Sequence, residues 1–255
     1  MTLLSVSKLS KSFGGLNALA NVNIEMMAGE LVGLIGPNGA GKTTVFNLLT
    51  GVYTPTQGTI VFNGQNLVGL KPYQITQRGI ARTFQNIRLF NHLSVLDNVR
   101  IAYHTHARYG VASAILRLPS YQRGEEEIRQ KALEFLRVFG LDTKQEEIAK
   151  NLPYGEQRRL EIARALAAQP KLLLLDEPAA GMNPQETQEL MQLIKWIRDK
   201  FGLSILLIEH DMSLVMGVCE RIYVLDYGMI IAHGTPDEIK RNPKVIEAYL
   251  GEEVS

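Results

Sequence analysis

The sequence contains a single cysteine, Cys219, among its 255 residues. One thiol closes no internal disulfide and supplies no cysteine-based metal site, which excludes a disulfide-stapled secreted scaffold and suggests a reducing compartment. Charge of either sign is not in excess. The 27 Lys and Arg against 26 Asp and Glu leave a formal net charge of +1, so no overall field draws the chain to nucleic acid or to an anionic bilayer. Long apolar runs are also missing. The densest, residues 172–175 and 205–208, fall far short of the roughly 18 residues a membrane span needs, so a protein acting at a membrane would sit beside it. Polar residues interrupt the first seven positions and Lys8 follows, which predicts no secretory leader. Internal repeats and low-complexity tracts are not evident. What is present, 45% hydrophobic and 21% charged residues, is the balance of a chain that buries a core, neither disordered nor fibrous.

Apolar patterning and turn signals predict strands over residues 3–9, 22–26, 31–35 and 59–62, with a turn at 27–30 and a break at 54–58. A helix is expected at 43–50. From 94 to about 139 the pattern turns helical. Val95, Val99 and Ala102 share one face, and Ile128, Leu133, Leu136 and Phe139 form a second stripe. Residues 109–124, which include Pro119, read as a connection, with Glu125, Glu126 and Glu127 as a solvated first helical turn. Strands return at 172–176, 204–209 and 222–226. Between them, 185–201 reads as an amphipathic helix with Leu190, Leu193, Ile194, Ile197 and Phe201 facing inward. The fold class expected is α/β, a sheet core with a mostly helical insertion.

Residues 36–43, Gly36-Pro37-Asn38-Gly39-Ala40-Gly41-Lys42-Thr43, match the phosphate-binding pattern G-x-x-x-x-G-K-[ST] in full, between a strand and a helix. The glycines let the backbone curl so that its N–H groups converge on phosphate. Lys42 offers charge to the β and γ phosphates, Thr43 a hydroxyl for Mg²⁺, and the helix N-terminus its dipole. The apolar residues 172–175 run into Asp176 and Glu177, the form of an acidic strand in which Asp176 serves the metal and Glu177 polarises the attacking water. Alone, that stretch also allows a reading as a strand ending at a polar turn, which the complete phosphate-binding pattern beside it disfavours.

These two elements fit many phosphate-loop enzymes. Residues 152–166, Leu-Pro-Tyr-Gly-Glu-Gln-Arg-Arg-Leu-Glu-Ile-Ala-Arg-Ala-Leu, precede the acidic strand, and here the chain resembles the ATPase subunits of ABC transporters over nearly its whole length. The resemblance implies a RecA-like core, an antiparallel β subdomain and an inserted helical subdomain. It places the core at about 1–86 and 157–234, the helical subdomain at 87–156 and a helical tail at 235–255. It implies ATP and Mg²⁺. Phe13 falls where the family stacks an aromatic on adenine, Thr44 extends the phosphate contacts, and Gln85 matches the glutamine that touches the metal site. His210 matches the switch histidine of the γ-phosphate. Tyr154, Gly155 and Glu156 occupy the signature that contacts nucleotide across a head-to-tail dimer. Pro153 and Tyr154 depart from the family's Ser-Gly, so the seryl hydroxyl is missing, and Asn183 stands where Asp is more usual.

Finer likeness, in Gly14-Gly15-Leu16, in 82–90 and in 177–184, points to the ATPases of bacterial branched-chain amino acid importers, with a lipopolysaccharide-export ATPase or that of another amino-acid or amide importer as the alternative. The partners so implied are a second cassette, the same or different, two transmembrane permease subunits and indirectly a periplasmic binding protein, with no nucleic acid. The location implied is the cytoplasmic face of the inner membrane, held peripherally. A groove near 86–103, with Ile87, Leu89, Phe90 and Leu93, would receive the permease, although plain core packing explains those residues as well. ABC proteins of translation and DNA repair normally carry two cassettes or a long coiled coil, neither of which is seen. His104 and His106 are two apart and lack a shared helix face, so no metal site is expected there. Arg117 and Arg123 read as surface charges and Cys219 as a small buried apolar residue.

Overall fold

The computed structural model describes residues 1–107 and 109–250. In chain order it runs β1 (Thr2–Phe13), β2 (Leu16–Met27), β3 (Leu31–Ile35), α1 (Lys42–Leu49), β4 (Gln57–Phe62), β5 (Gln65–Asn66), α2 (Pro72–Gln77) and β6 (Ile80–Arg82). Then come α3 (Val95–Tyr103), α4 (Val111–Ile115), α5 (Pro119–Val138) and α6 (Tyr154–Ala167). The last part is β7 (Leu172–Asp176), α7 (Pro184–Phe201), β8 (Ser204–Ile208), α8 (Met212–Val218), β9 (Arg221–Asp226), β10 (Met229–Gly234), α9 (Pro236–Lys240) and α10 (Pro243–Leu250).

Two compact units result: Met1–Arg82 together with the chain from Lys171 onward, and Thr83–Pro170. The first holds two sheets. A four-stranded antiparallel sheet has the order β2-β1-β4-β5, and a six-stranded sheet has the order β10-β9-β3-β8-β7-β6. In the latter all neighbours are parallel except β10 on β9. Strands β3, β7 and β8 are buried at every position, as expected where both faces of a parallel sheet are covered, so their sequences are runs of Leu, Ile and Val instead of alternating patterns.

The second unit is helical. Its contacts bind α6 to α3 and α5, and the compact unit runs from Thr83 to Pro170. Two expectations need correction there. Residues 109–124 are not a bare connection: α4 occupies part of them, and α5 begins at Pro119, which sits at the first helical position where its missing N–H has no partner to lose. Glu125–Glu127 therefore lie beyond the first turn of α5. Glu125 is not simply solvated, since its carboxylate pairs with Arg100 at 2.7 Å and accepts from the Tyr109 hydroxyl. His104 lies 3.8 Å from that same carboxylate, a partner the spacing did not disclose. In α7, Leu190, Ile194 and Ile197 are buried as expected, but Phe201 is 36% exposed and meets Trp196 edge-on. The helix ends there, because Gly202 turns left-handed at φ 61°.

Candidate active site

Strand order brings distant motifs together. Strands β3, β8 and β7 lie side by side and parallel, so the loops at their C-terminal ends are neighbours, at the edge where open parallel sheets hold ligands. The loop after β3 is the phosphate loop, that after β7 carries Glu177, and that after β8 carries Glu209 and His210.

The loop's glycines have separate jobs. Gly36 has φ 149°, and a Cβ there would sit 1.9 Å from the Leu225 carbonyl oxygen of β9. Gly41, at φ 106°, is the N-cap of α1, and a Cβ would meet Leu19 and the Ala18 carbonyl at 2.8 and 2.9 Å. Gly39 has open space around it and needs only its φ of 76°. Lys42 is buried, its ammonium donating to the carbonyls of Gly36 at 2.6 Å and Pro37 at 2.8 Å. Asn38 and Thr43 are exposed and Thr44 half-buried, while Pro37 and Ala40 are packed inward.

Asp176 is buried at the end of β7, where its Oδ2 accepts from Arg82 Nη2 at 2.7 Å. Arg82 also reaches Asn47 of α1 at 2.7 Å and lies over the Phe46 ring. This guanidinium ties the acidic strand to the phosphate-loop helix. Glu177 adopts φ 47°, a left-handed conformation uncommon outside glycine. Its N–H donates to the Ile208 carbonyl at 2.8 Å, its carbonyl accepts from the Ala180 N–H at 3.2 Å, and its Oε1 lies 2.6 Å from Nε2 of His210. The carboxylate and imidazole, 33 residues apart in sequence, form one acid-base pair.

Glu209 is a buried carboxylate, 4% exposed, whose oxygens accept from the N–H groups of Ala179 at 2.8 Å and His210 at 3.1 Å. Burial raises its pKa, against the opposing effect of those bonds. Asn183, in the stretch after Glu177, is the N-cap of α7. Its Oδ1 accepts from Glu186 N–H at 3.0 Å, and the Glu186 carboxylate returns the bond to Asn183 N–H at 2.9 Å. Phe13 is 41% exposed, edge-on to Tyr53 with Lys11 over its ring, an aromatic corner open to a flat ligand.

Within the helical unit, Gln85 is exposed and its carbonyl accepts from Arg158 Nη2 at 2.7 Å. Arg158 and Glu161 on α6 are fully buried and paired at 2.7 Å. Between them they also bind the Phe84 carbonyl and the Arg88 N–H, so residues 84–88 are strapped to α6. Pro153 caps α6, and Tyr154, Gly155 and Glu156 form its first turn, with Tyr154 exposed and Glu156 paired to Lys144 at 2.6 Å.

The motifs did not single out Arg82, Arg158, Glu161 or Glu209. Each is a charged residue at a strand end or inside a helix, and only its burial and distant partner mark it out.

Residues 19–180 match the family model described as ABC transporter, and residues 229–255 match that of the branched-chain amino acid ATP-binding cassette transporter. The chain belongs to the ABC transporter family. It is an ATP-hydrolysing cassette, the ATP-binding component of a multi-component transporter. The cassette is 52% identical over 250 residues, 98% of each chain, to the high-affinity branched-chain amino acid transport ATP-binding protein LivG of Escherichia coli. Against the lipopolysaccharide export ATP-binding protein LptB of the same species it is 36% identical over 253 residues, 99% of each. Among solved structures, an ABC transporter cassette in its ADP conformation superposes with a TM-score of 0.85 at 29% identity, covering 98% of this cassette and 99% of that one. Among the described residues, no helix is long and apolar enough to cross a membrane.

Proposed function

We propose that this cassette hydrolyses Mg²⁺-ATP to power the import of branched-chain amino acids. The match of residues 229–255 to the branched-chain amino acid cassette model carries the substrate part of that reading, because it lies outside the motifs all cassettes share. The cassette would sit on the cytoplasmic face of the membrane, paired head-to-tail with a second cassette below two permease subunits fed by a periplasmic binding protein.

The chemistry follows from the residues on the page. The loop of residues 36–43 wraps the β and γ phosphates with N–H donors, and Lys42 exchanges its bonds to the loop carbonyls for phosphate oxygens. Thr43 and Asp176 provide hard oxygen donors of the kind Mg²⁺ takes, so these two residues fit that ion, and the family resemblance assigns the Gln85 amide oxygen to it as well. When bound, Mg²⁺ neutralises charge between the phosphates. Glu177 orients and polarises the attacking water while His210, hydrogen-bonded to it, aligns the carboxylate and faces the γ-phosphate. Phe13 supports adenine. Tyr154, Gly155 and Glu156 at the N-terminus of α6 would offer N–H groups and a helix dipole to the partner's nucleotide, standing in for the missing serine.

Glu177→Gln is expected to keep ATP binding, to lower turnover by ~10² to 10⁴ and to trap a nucleotide-bound dimer, read by ATPase assay and size-exclusion chromatography. Unchanged turnover would remove Glu177 from this role. The substrate is decided by uptake of radiolabelled leucine into vesicles holding the complete transporter. Uptake that needs this cassette supports the reading, whereas rescue of a lipopolysaccharide-export defect without leucine uptake would replace it.

A further inference from the structure

We infer that Glu209 is a positioning residue that clasps the loop after β7 to the loop after β8 and thereby holds the Glu177 and His210 side chains in their hydrolytic geometry. This rests on the assignment of that pair to ATP hydrolysis above.

Two backbone donors from two loops meet one side chain. Ala179 N–H reaches Oε1 at 2.8 Å, and His210 N–H reaches Oε2 at 3.1 Å. Ala179 stands two residues beyond Glu177, and His210 is the neighbour of Glu209 itself, so the same carboxylate anchors the backbone on both sides of the Glu177 to His210 bond. A buried carboxylate costs several kcal/mol in desolvation unless it is well satisfied, so a chain would not place one here for packing alone. The apolar neighbour Ile208 already fills the sheet interior.

The clasp explains how the strained Glu177 backbone persists. At φ 47° that residue needs its surroundings to over-determine it, and the Ile208 carbonyl on its N–H and the Ala180 N–H on its carbonyl supply two backbone restraints. Glu209 supplies another, two residues further on. It also links Glu177 to the stretch that runs through Gly181 to the cap of α7, so displacement of that stretch would shift His210 and Glu177 together. The bonding partners of Glu209, Ala179 and His210, lie outside the phosphate loop between β3 and α1, so nucleotide affinity should be largely independent of the clasp.

The test uses the full-length cassette with Glu209→Met, which fills the volume without acceptors, and Glu209→Gln, which restores one oxygen. Glu209→Met is expected to lower kcat about tenfold to a hundredfold, the cost of misplacing reacting groups by about 1 Å, with KM for ATP within about twofold of the parent. Glu209→Gln should recover part of the loss. Amide exchange at Ala179 and His210 should accelerate in Glu209→Met while residues 36–43 stay protected. Parent-level kcat in Glu209→Met, a loss confined to KM, or equal loss of protection in residues 36–43 would overturn the clasp. Should Glu209→Met not fold, the parent decides: fast exchange of those two amides in the native cassette overturns it, and joint protection that Glu209→Gln weakens supports it. Because exchange reads the clasp without turnover, its result stands apart from whether Glu177→Gln abolishes hydrolysis.

Discussion

At the scale of single residues, two glycines of one loop should answer the same substitution differently. Gly36→Ala introduces a methyl group 1.9 Å from the Leu225 carbonyl oxygen, a backbone atom of β9 that cannot move without breaking its pairing to β3 and β10. Gly39→Ala meets nothing within 4 Å and bears only the cost of a left-handed φ. The expected losses in urea denaturation are about 3 kcal/mol or more for Gly36→Ala, from strain and overpacking together, and about 1 kcal/mol for Gly39→Ala. Equal losses would mean that β9 yields at Leu225. The motif names both glycines, but only the strand lying against the loop distinguishes them. Lys42, Asp176 and Glu177 could be named from sequence because the chemistry of phosphate and water needs those residue types in that spacing. The partners that hold them could not. Arg82 lies 94 residues from Asp176 and Glu209 lies 30 from Ala179, and no local pattern marks such pairs.

At the scale of elements, the strands were legible wherever both faces are buried, since β3, β7 and β8 are short unbroken apolar runs. The helical insertion was harder. Pro119 breaks a helix interior but opens a helix start, and only the structure shows that it opens α5. The weakest point of sequence reasoning in this unit was α6, whose arginines look like a solvated face. Arg158 is instead wholly buried against Glu161 and the carbonyls of Phe84 and Gln85. A buried ion pair contributes little net stability when intact, but removing one member leaves an uncompensated charge. Arg158→Met is therefore expected to cost about 3 to 5 kcal/mol in stability of the helical unit, measured by urea denaturation followed by circular dichroism. Adding Glu161→Leu to it should recover much of that loss. If the double variant were as unstable as the single one, the backbone bonds of residues 84–88, and not the unpaired charge, would dominate. Release of those residues should also change the exchange of amides at Phe84 and Arg88, the two that donate to Glu161.

At the scale of the whole molecule, the lone cysteine is a built-in reporter. Cys219 follows α8 and is 6% exposed; a Cβ on Gly33 of β3 would lie 3.1 Å from its Sγ. Burial, with a smaller contribution from the Glu220 charge, pushes its thiol from 9.0 up to about 12. The native state thus holds almost no thiolate at pH 8, and the thiolate is the reactive form. The sign of the linkage follows. The folded thiol binds its proton more tightly than the unfolded one, so its contribution to stability is fully present below pH 9 and is lost as pH rises through about 12. At pH 8, alkylation by iodoacetamide should therefore proceed only through opening of the unit that contains β3 and α8. Because the helical unit of residues 83–170 has no cysteine, labelling reports on the sheet unit alone. That unit also carries the phosphate loop. Saturation with ATP at 100 times its Kd stabilises a binding-competent fold by about 2.7 kcal/mol, so labelling should slow by about a hundredfold. Lys42→Ala should abolish that protection without accelerating labelling in the absence of ATP. Rapid labelling of the native cassette at pH 8 would show that α8 opens on its own, and would separate the thiol's exposure from unfolding of the sheet that positions Glu177, Glu209 and His210.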